Sequence, residues 1–244
     1  MSITEHRVEL LHPDPKDKVK WEHPLLPNPV KGFRLLICAP SNTGKSVLCS
    51  YMFASDKMPY KKYFKSNVFI FSTTAKLGSM NMPHVKKSNI RDSFDVEFIR
   101  TLWEEQDALI EKYGRAKTVP ILLIFDDVVA DLNAERKEYL KKVFLHGRHS
   151  GFSTCLCSQQ WKSVPKPVRM NATNVIVMLL ASTAERLSIS SEMPFPEKKF
   201  LAVVDDAISD AEYSFLTINL AEKKERRLQL RLSSSYYDLD EVEV

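Results

Sequence analysis

Residues 39–46 read Ala-Pro-Ser-Asn-Thr-Gly-Lys-Ser, which has the [A/G]-x4-G-K-[ST] spacing of a phosphate-binding loop. The chemistry accounts for the residue types. Backbone N–H groups of Ser41, Asn42, Thr43 and Gly44 curl around a β-phosphate, Lys45 reaches β- and γ-oxygens, and the Ser46 hydroxyl ligates Mg2+. A helix starting at Lys45 would add its N-terminal dipole to the same field. The pattern therefore predicts nucleotide binding, with ATP and Mg2+ as cofactors.

Two further stretches complete a site of this kind. Residues 121–127 (Ile-Leu-Leu-Ile-Phe-Asp-Asp) are an apolar run ending in two adjacent carboxylates. At the carboxyl end of a strand in an open α/β sheet they stand where such sheets bind ligands. Asp126 would hold Mg2+ through water, and Asp127 would polarise the attacking water. Successive strand residues point to opposite faces, so the two share a site only if the chain bends after Phe125. Residues 148–159 begin with Arg148, between Gly147 and Gly151, and end in Gln159. At the end of its strand, Gln159 is suited to sense the γ-phosphate or its water. Arg148, at the start of that strand, lies at the far end of the sheet from its own loop. Its natural role is in trans, as an arginine finger for a neighbouring subunit.

These groups need a rigid frame, and the composition supplies one. With 244 residues, 44% hydrophobic and 27% charged, the chain can bury a sizeable core and lacks the low hydrophobicity of disorder. Only six glycines are present, too few for a glycine-rich fibre or linker. The formal charge of +4 permits a nucleic-acid partner without demanding one. The longest strongly apolar run, residues 175–181, falls well short of the ~20 residues that span a bilayer, and no apolar signal core opens the chain. Cys38, Cys49, Cys155 and Cys157 read as reduced, buried thiols, because a lone C-x-C is half a zinc site.

Hydrophobic patterning predicts strands at 34–39, 67–73, 119–125, 153–158 and 174–180. It predicts helices at 45–54, at 133–145 and from a cap at Asp92 or Ser93 through Leu109. Such alternation indicates an α/β fold, a mostly parallel central sheet flanked by helices. Segments 213–220 and 227–232 break the rhythm and predict an antiparallel C-terminal hairpin at the sheet edge. Residues 1–32, with scattered prolines and histidines, read as an extended arm. Residues 33–234 form the main domain, and 235–244 an acidic tail that is either disordered or a docking segment.

Taken together, APSNTGKS, ILLIFDD, GRHSGFSTCLCSQQ and VRMNATNVIVML resemble the FtsK-HerA superfamily of ring ATPases that pump double-stranded DNA. Within it the chain is most similar to the poxvirus-type genome-packaging ATPases of large and medium-sized eukaryotic DNA viruses. The match covers residues 33–232. The resemblance implies a RecA-like P-loop ATPase with Lys45 and Ser46 on nucleotide and Mg2+, Asp126 and Asp127 as the Walker B pair, and Gln159 as sensor. It makes Arg148 the trans finger and Arg169, followed by Asn171, a second finger candidate. It further implies a homo-oligomeric ring, pentamer or hexamer, that moves double-stranded DNA into a preformed capsid at a viral assembly site in the host cell. Capsid or virion membrane proteins, and a separate nuclease, would be its partners. Ala39 replaces the commoner first glycine, and Asp127 the frequent glutamate. For DNA contact the chain offers Lys76, Lys86 and Lys87, expected after the second strand on the loop side.

Three other readings compete. A small-molecule kinase needs an acid near the second strand, and Phe71-Ser72-Thr73-Thr74 offers none. A replication helicase shares nearly every motif. A nucleotide-gated assembly protein would bind ATP with little hydrolysis.

Overall fold

The computed structural model describes residues 21–23, 26–75, 78–180 and 182–242. In chain order its elements are β1 (Arg34–Cys38), α1 (Lys45–Ala54), α2 (Tyr60–Phe64), β2 (Val68–Ser72), β3 (Ile90–Arg91), α3 (Val96–Tyr113), β4 (Ile121–Asp126), α4 (Ala134–His146), β5 (Phe152–Ser158), α5 (Lys166–Met170), β6 (Asn174–Val177), α6 (Thr183–Ser190), α7 (Glu197–Ser209), β7 (Leu216–Asn219) and β8 (Leu228–Leu230). Among the described residues the strands form one sheet in the order β3-β2-β4-β5-β1-β6-β7-β8. All pairs from β3 to β6 are parallel, whereas β6–β7 and β7–β8 are antiparallel. The mostly parallel sheet and the C-terminal edge hairpin are thus both present.

Strand alternation divides the interior into two cores. Leu35 and Ile37 of β1 join Met52 and Phe53 of α1 and Tyr60 and Phe64 of α2 on one face. Leu36 and Cys38 join the core that holds Ile99 and Leu102 of α3, Phe144 of α4 and Val203 of α7 on the other. Both faces of the central strands are covered, which is why β4 and β5 are buried at every position and read as continuous apolar runs. Residue 125 illustrates the packing: the Phe125 ring stacks on Phe71 at 5.1 Å and Phe94 at 5.4 Å.

The structure corrects some boundaries. Helix α3 is capped by Asp95, whose carboxylate accepts from Phe98 N at 3.0 Å, and not by Asp92 or Ser93. Phe94 therefore precedes the helix and is buried beside β2 and β4. Helices α6 and α7 have no counterpart among the expected elements, although Phe200, Val203, Val204 and Ala207 form a buried stripe at helical spacing. The prolyl connection between β5 and β6 contains α5. In the acidic tail, Leu239 is buried and its carbonyl accepts from Lys199 Nζ at 2.8 Å, so this part lies docked on α7. Of the N-terminal arm, Trp21 packs on Tyr60 at 5.0 Å; residues 1–20 lie outside the described residues. All four cysteines are free and buried. No described helix is long and apolar enough to cross a membrane.

Candidate active site

The phosphate loop leaves β1 through two left-handed residues, Asn42 (φ 61°) and Gly44 (φ 92°). The second suits glycine, which alone adopts that conformation without strain. No side chain caps α1, so its first N–H groups, which have no intrahelical acceptor, form a cradle for an anion. Thr43 Oγ1 donates to the Pro40 carbonyl at 2.7 Å and braces the loop. Lys45 is 5% exposed, and its Nζ donates to the carbonyls of Ala39 at 2.9 Å and Pro40 at 2.8 Å. Two of the three ammonium protons are used in this way, and the third can serve a phosphate oxygen.

The sheet register brings the carboxylates to this loop. Asp126 ends β4, level with Ser72 of β2 and Cys157 of β5. It is 2% exposed. Its Oδ2 accepts from Ser72 Oγ at 3.3 Å and from Ser46 Oγ at 3.5 Å, whereas Oδ1 is buried with no hydrogen-bond partner. Burial, and then the charge of Asp127, push the Asp126 pKa up, while Ser72, Lys45 and Ser46 draw it down. A desolvated carboxylate with an orphan oxygen beside a hydroxyl is a set of hard oxygen donors that fits Mg2+.

The bend required after Phe125 is made at Asp127, whose φ of 52° is left-handed. Its N–H donates to the Cys157 carbonyl at 3.2 Å, and its Oδ2 accepts from Gln159 Nε2 at 3.1 Å. Loop, Asp126, Asp127 and Gln159 therefore meet at the carboxyl ends of β1, β4 and β5. Ser72 is the member that sequence reasoning missed. It ends the strand beside β4, a position that is visible only once the strand order is known.

The remaining predicted residues lie elsewhere. Arg148 is exposed at the amino end of β5. It lines a cavity of about 510 Å3 together with Arg34. Burial, and secondarily the charge of Arg148, lower the Arg34 pKa. Arg169, the second finger candidate, is tied down within its own subunit. Its side chain is 6% exposed, with Nε and Nη2 both 2.7 Å from Glu192 and Nη1 on the Val164 carbonyl. At most one of its five N–H donors is left for a neighbour, which disfavours a finger role. Lys86 and Lys87 are exposed, but their placement on the loop side is also corrected. Asn89 just beyond them donates to the carbonyls of Ser66 and Val68 where β2 begins, so they sit toward the opposite end of the sheet. Lys76 lies outside the described residues.

The family described as Poxvirus A32 protein matches residues 26–222. The chain belongs to that family. No curated protein matches the sequence significantly. Among solved structures, the genome packaging NTPase B204 of Sulfolobus turreted icosahedral virus 2, in complex with AMPPCP, gives a TM-score of 0.57 at 17% identity. That alignment covers 84% of this chain and 98% of the other. EssC ATPases 2 and 3 of Geobacillus thermodenitrificans give 0.58 at 14% identity, covering 86% of this chain and 41% of theirs. The pCW3 conjugation coupling protein TcpA with ATPγS gives 0.57 at 13%, covering 86% and 62%. At these identities the likeness is one of fold. This member of the poxvirus A32 protein family is a P-loop ATPase, with its candidate site residues gathered at one end of the sheet.

Proposed function

We propose that the chain is an ATP-driven translocase that packages double-stranded viral DNA into a preformed capsid, working as a homo-oligomeric ring that hydrolyses ATP between subunits. The observation that carries the catalytic part is the buried Asp126 with its unpartnered Oδ1 beside Ser46. Membership of the poxvirus A32 family and the packaging role named for B204 support the biological setting.

Ser46 and Asp126 would hold Mg2+, which when bound neutralises charge on the phosphates. The first N–H groups of α1 and the Lys45 ammonium grip the β- and γ-oxygens and stabilise the charge that builds there in the transition state. Asp127 orients the attacking water and takes its proton, and the Gln159 amide holds the Asp127 carboxylate in place until the γ-phosphate competes for it. Because Arg148 is at the far end of the sheet, each site is completed by the arginine of the next subunit, with Arg34 adding positive field. Val47 and Tyr51, one helical turn apart on α1, are 71% and 45% exposed, an apolar strip beside the loop for a neighbour to cover. Exposed cations such as Lys86 and Lys87 would contact duplex phosphates from the other end.

Two assays test this proposal. ATP-dependent displacement of a third strand from intact duplex, without unwinding of that duplex, is expected; unwinding would favour a helicase. Arg148→Ala should bind ATP and lose about 10³-fold in turnover. Mixing it with Lys45→Ala subunits should restore part of the activity, and a mixture as inactive as either parent would contradict action in trans.

A further inference from the structure

The sheet order divides the surroundings of the phosphate loop into two sides. Asp126, Asp127 and Gln159 lie at the carboxyl ends of β4 and β5, to one side of β1, and β6 and β7 lie to the other. A nucleotide whose γ-phosphate faces the carboxylates must leave the loop on the β6 side. A groove of about 290 Å3 stands there, bounded by Asn42 and Thr43 of the loop, Met178 and Leu179 after β6, and Tyr213 and Ser214 before β7. Its lining is apolar with a few polar groups, the usual make-up of a small-molecule site.

Two residues of the groove are unusual. Tyr213 is 62% exposed, yet its backbone is left-handed with φ 61°, a conformation that bulky side chains rarely adopt. Its Cδ1 lies 3.4 Å from where a side chain on Gly44 would begin, so the ring stands against the phosphate loop. Backbone strain spent on an exposed ring is a mark of functional sites. Ser214 is 3% exposed, and its Oγ has no hydrogen-bond partner. Leaving a hydroxyl buried and unpaired is costly unless a ligand satisfies it.

We infer that this groove takes the nucleobase, with Tyr213 as its stacking face and Ser214 as the hydroxyl that reads a polar edge of the base. The inference rests on the ATPase reading above. It is tested by calorimetric titration of the full chain with ATP, GTP and inorganic tripolyphosphate, which has phosphates and no base. Tyr213→Ala should raise the Kd for ATP about tenfold, the effect of losing one base–aromatic stack, and leave the Kd for tripolyphosphate unchanged. Tyr213→Phe should retain ATP affinity. Tyr213→Gly, which suits the left-handed backbone, should reproduce the alanine effect in a chain that folds at least as well. Ser214→Ala should narrow the discrimination between ATP and GTP. Unchanged ATP affinity in Tyr213→Ala, or an equal loss for tripolyphosphate, would overturn the stacking role; unchanged discrimination would overturn that of Ser214. Lys45→Ala should weaken ATP and tripolyphosphate alike, and a wild-type chain that binds neither would refute the phosphate-loop reading itself.

Discussion

Asp126 and Glu192 are two carboxylates drawn into the body of the domain and treated in opposite ways. Glu192, its side chain 12% exposed, receives Nε and Nη2 of Arg169, the Trp161 indole N–H at 2.9 Å and Lys162 Nζ at 3.2 Å. Hydrogen bonding by Arg169, which outweighs burial and is helped by Lys162 and Trp161, holds its pKa down at about 2. Asp126 has two long hydroxyl contacts and an orphan oxygen, and burial drives its pKa up. The first carboxylate is satisfied within the chain and fastens α5, the end of α6 and the turn after Gln159 together. The second is prepared for something that arrives from outside. Burial alone does not distinguish these two carboxylates; the partners of their oxygens do.

The largest expected effect follows from this contrast. Asp126→Asn should cut ATP turnover by about 10³-fold or more while leaving the melting temperature unchanged or raised, since a desolvated charge has been removed. A melt lowered as far as that of a Glu192 variant would break the comparison. Glu192→Ala leaves Arg169 buried and unpaired, so chemical denaturation should show a loss of about 3–5 kcal/mol. Next in size, MgATP at a hundredfold its Kd should stabilise the wild-type chain by about 2.7 kcal/mol in a thermal-shift assay, with much less gained by Asp126→Asn.

The pH dependence is the smallest effect, because protonation takes one charge from Glu192 and leaves its side chain in place. A depressed carboxylate pKa contributes stability that is complete above its unfolded value and is lost as pH falls through the folded one. Glu192 should therefore cost the wild-type chain stability as pH falls from 4.5 to about 2. An acid melt series should show that loss reduced in Glu192→Gln. For Asp126 the sign is reversed, because a raised pKa makes ionisation unfavourable to folding as pH rises through it.

How much of this was legible in the sequence depends on how local each signal is. The phosphate loop and the Asp126–Asp127 pair are written in consecutive residues, and the bend at Asp127 follows from strand alternation. The contact of Gln159 with Asp127 comes from the pairing of β4 with β5, which sets the two strand ends side by side. Ser72 was hidden because its importance comes from register across β2 and β4, which no spacing reveals. The ion pair of Arg169 was hidden for a similar reason: its partner Glu192 lies beyond β6 and α6, and nothing near the arginine announces it. The groove of Tyr213 and Ser214 is assembled from three separate segments: the loop itself, the residues after β6 and those before β7. The stripe on α7, by contrast, was readable, with residues 200, 203, 204 and 207 all apolar.

The most direct test of the central claim is steady-state ATP hydrolysis by the purified chain on duplex DNA, with and without Mg2+, in the wild type and in folded Asp126→Asn. The expected result is Mg2+-dependent, DNA-stimulated turnover that the substitution removes. Absence of turnover in the wild type, or equal turnover in Asp126→Asn, would contradict the assignment of Asp126 and the motor built on it.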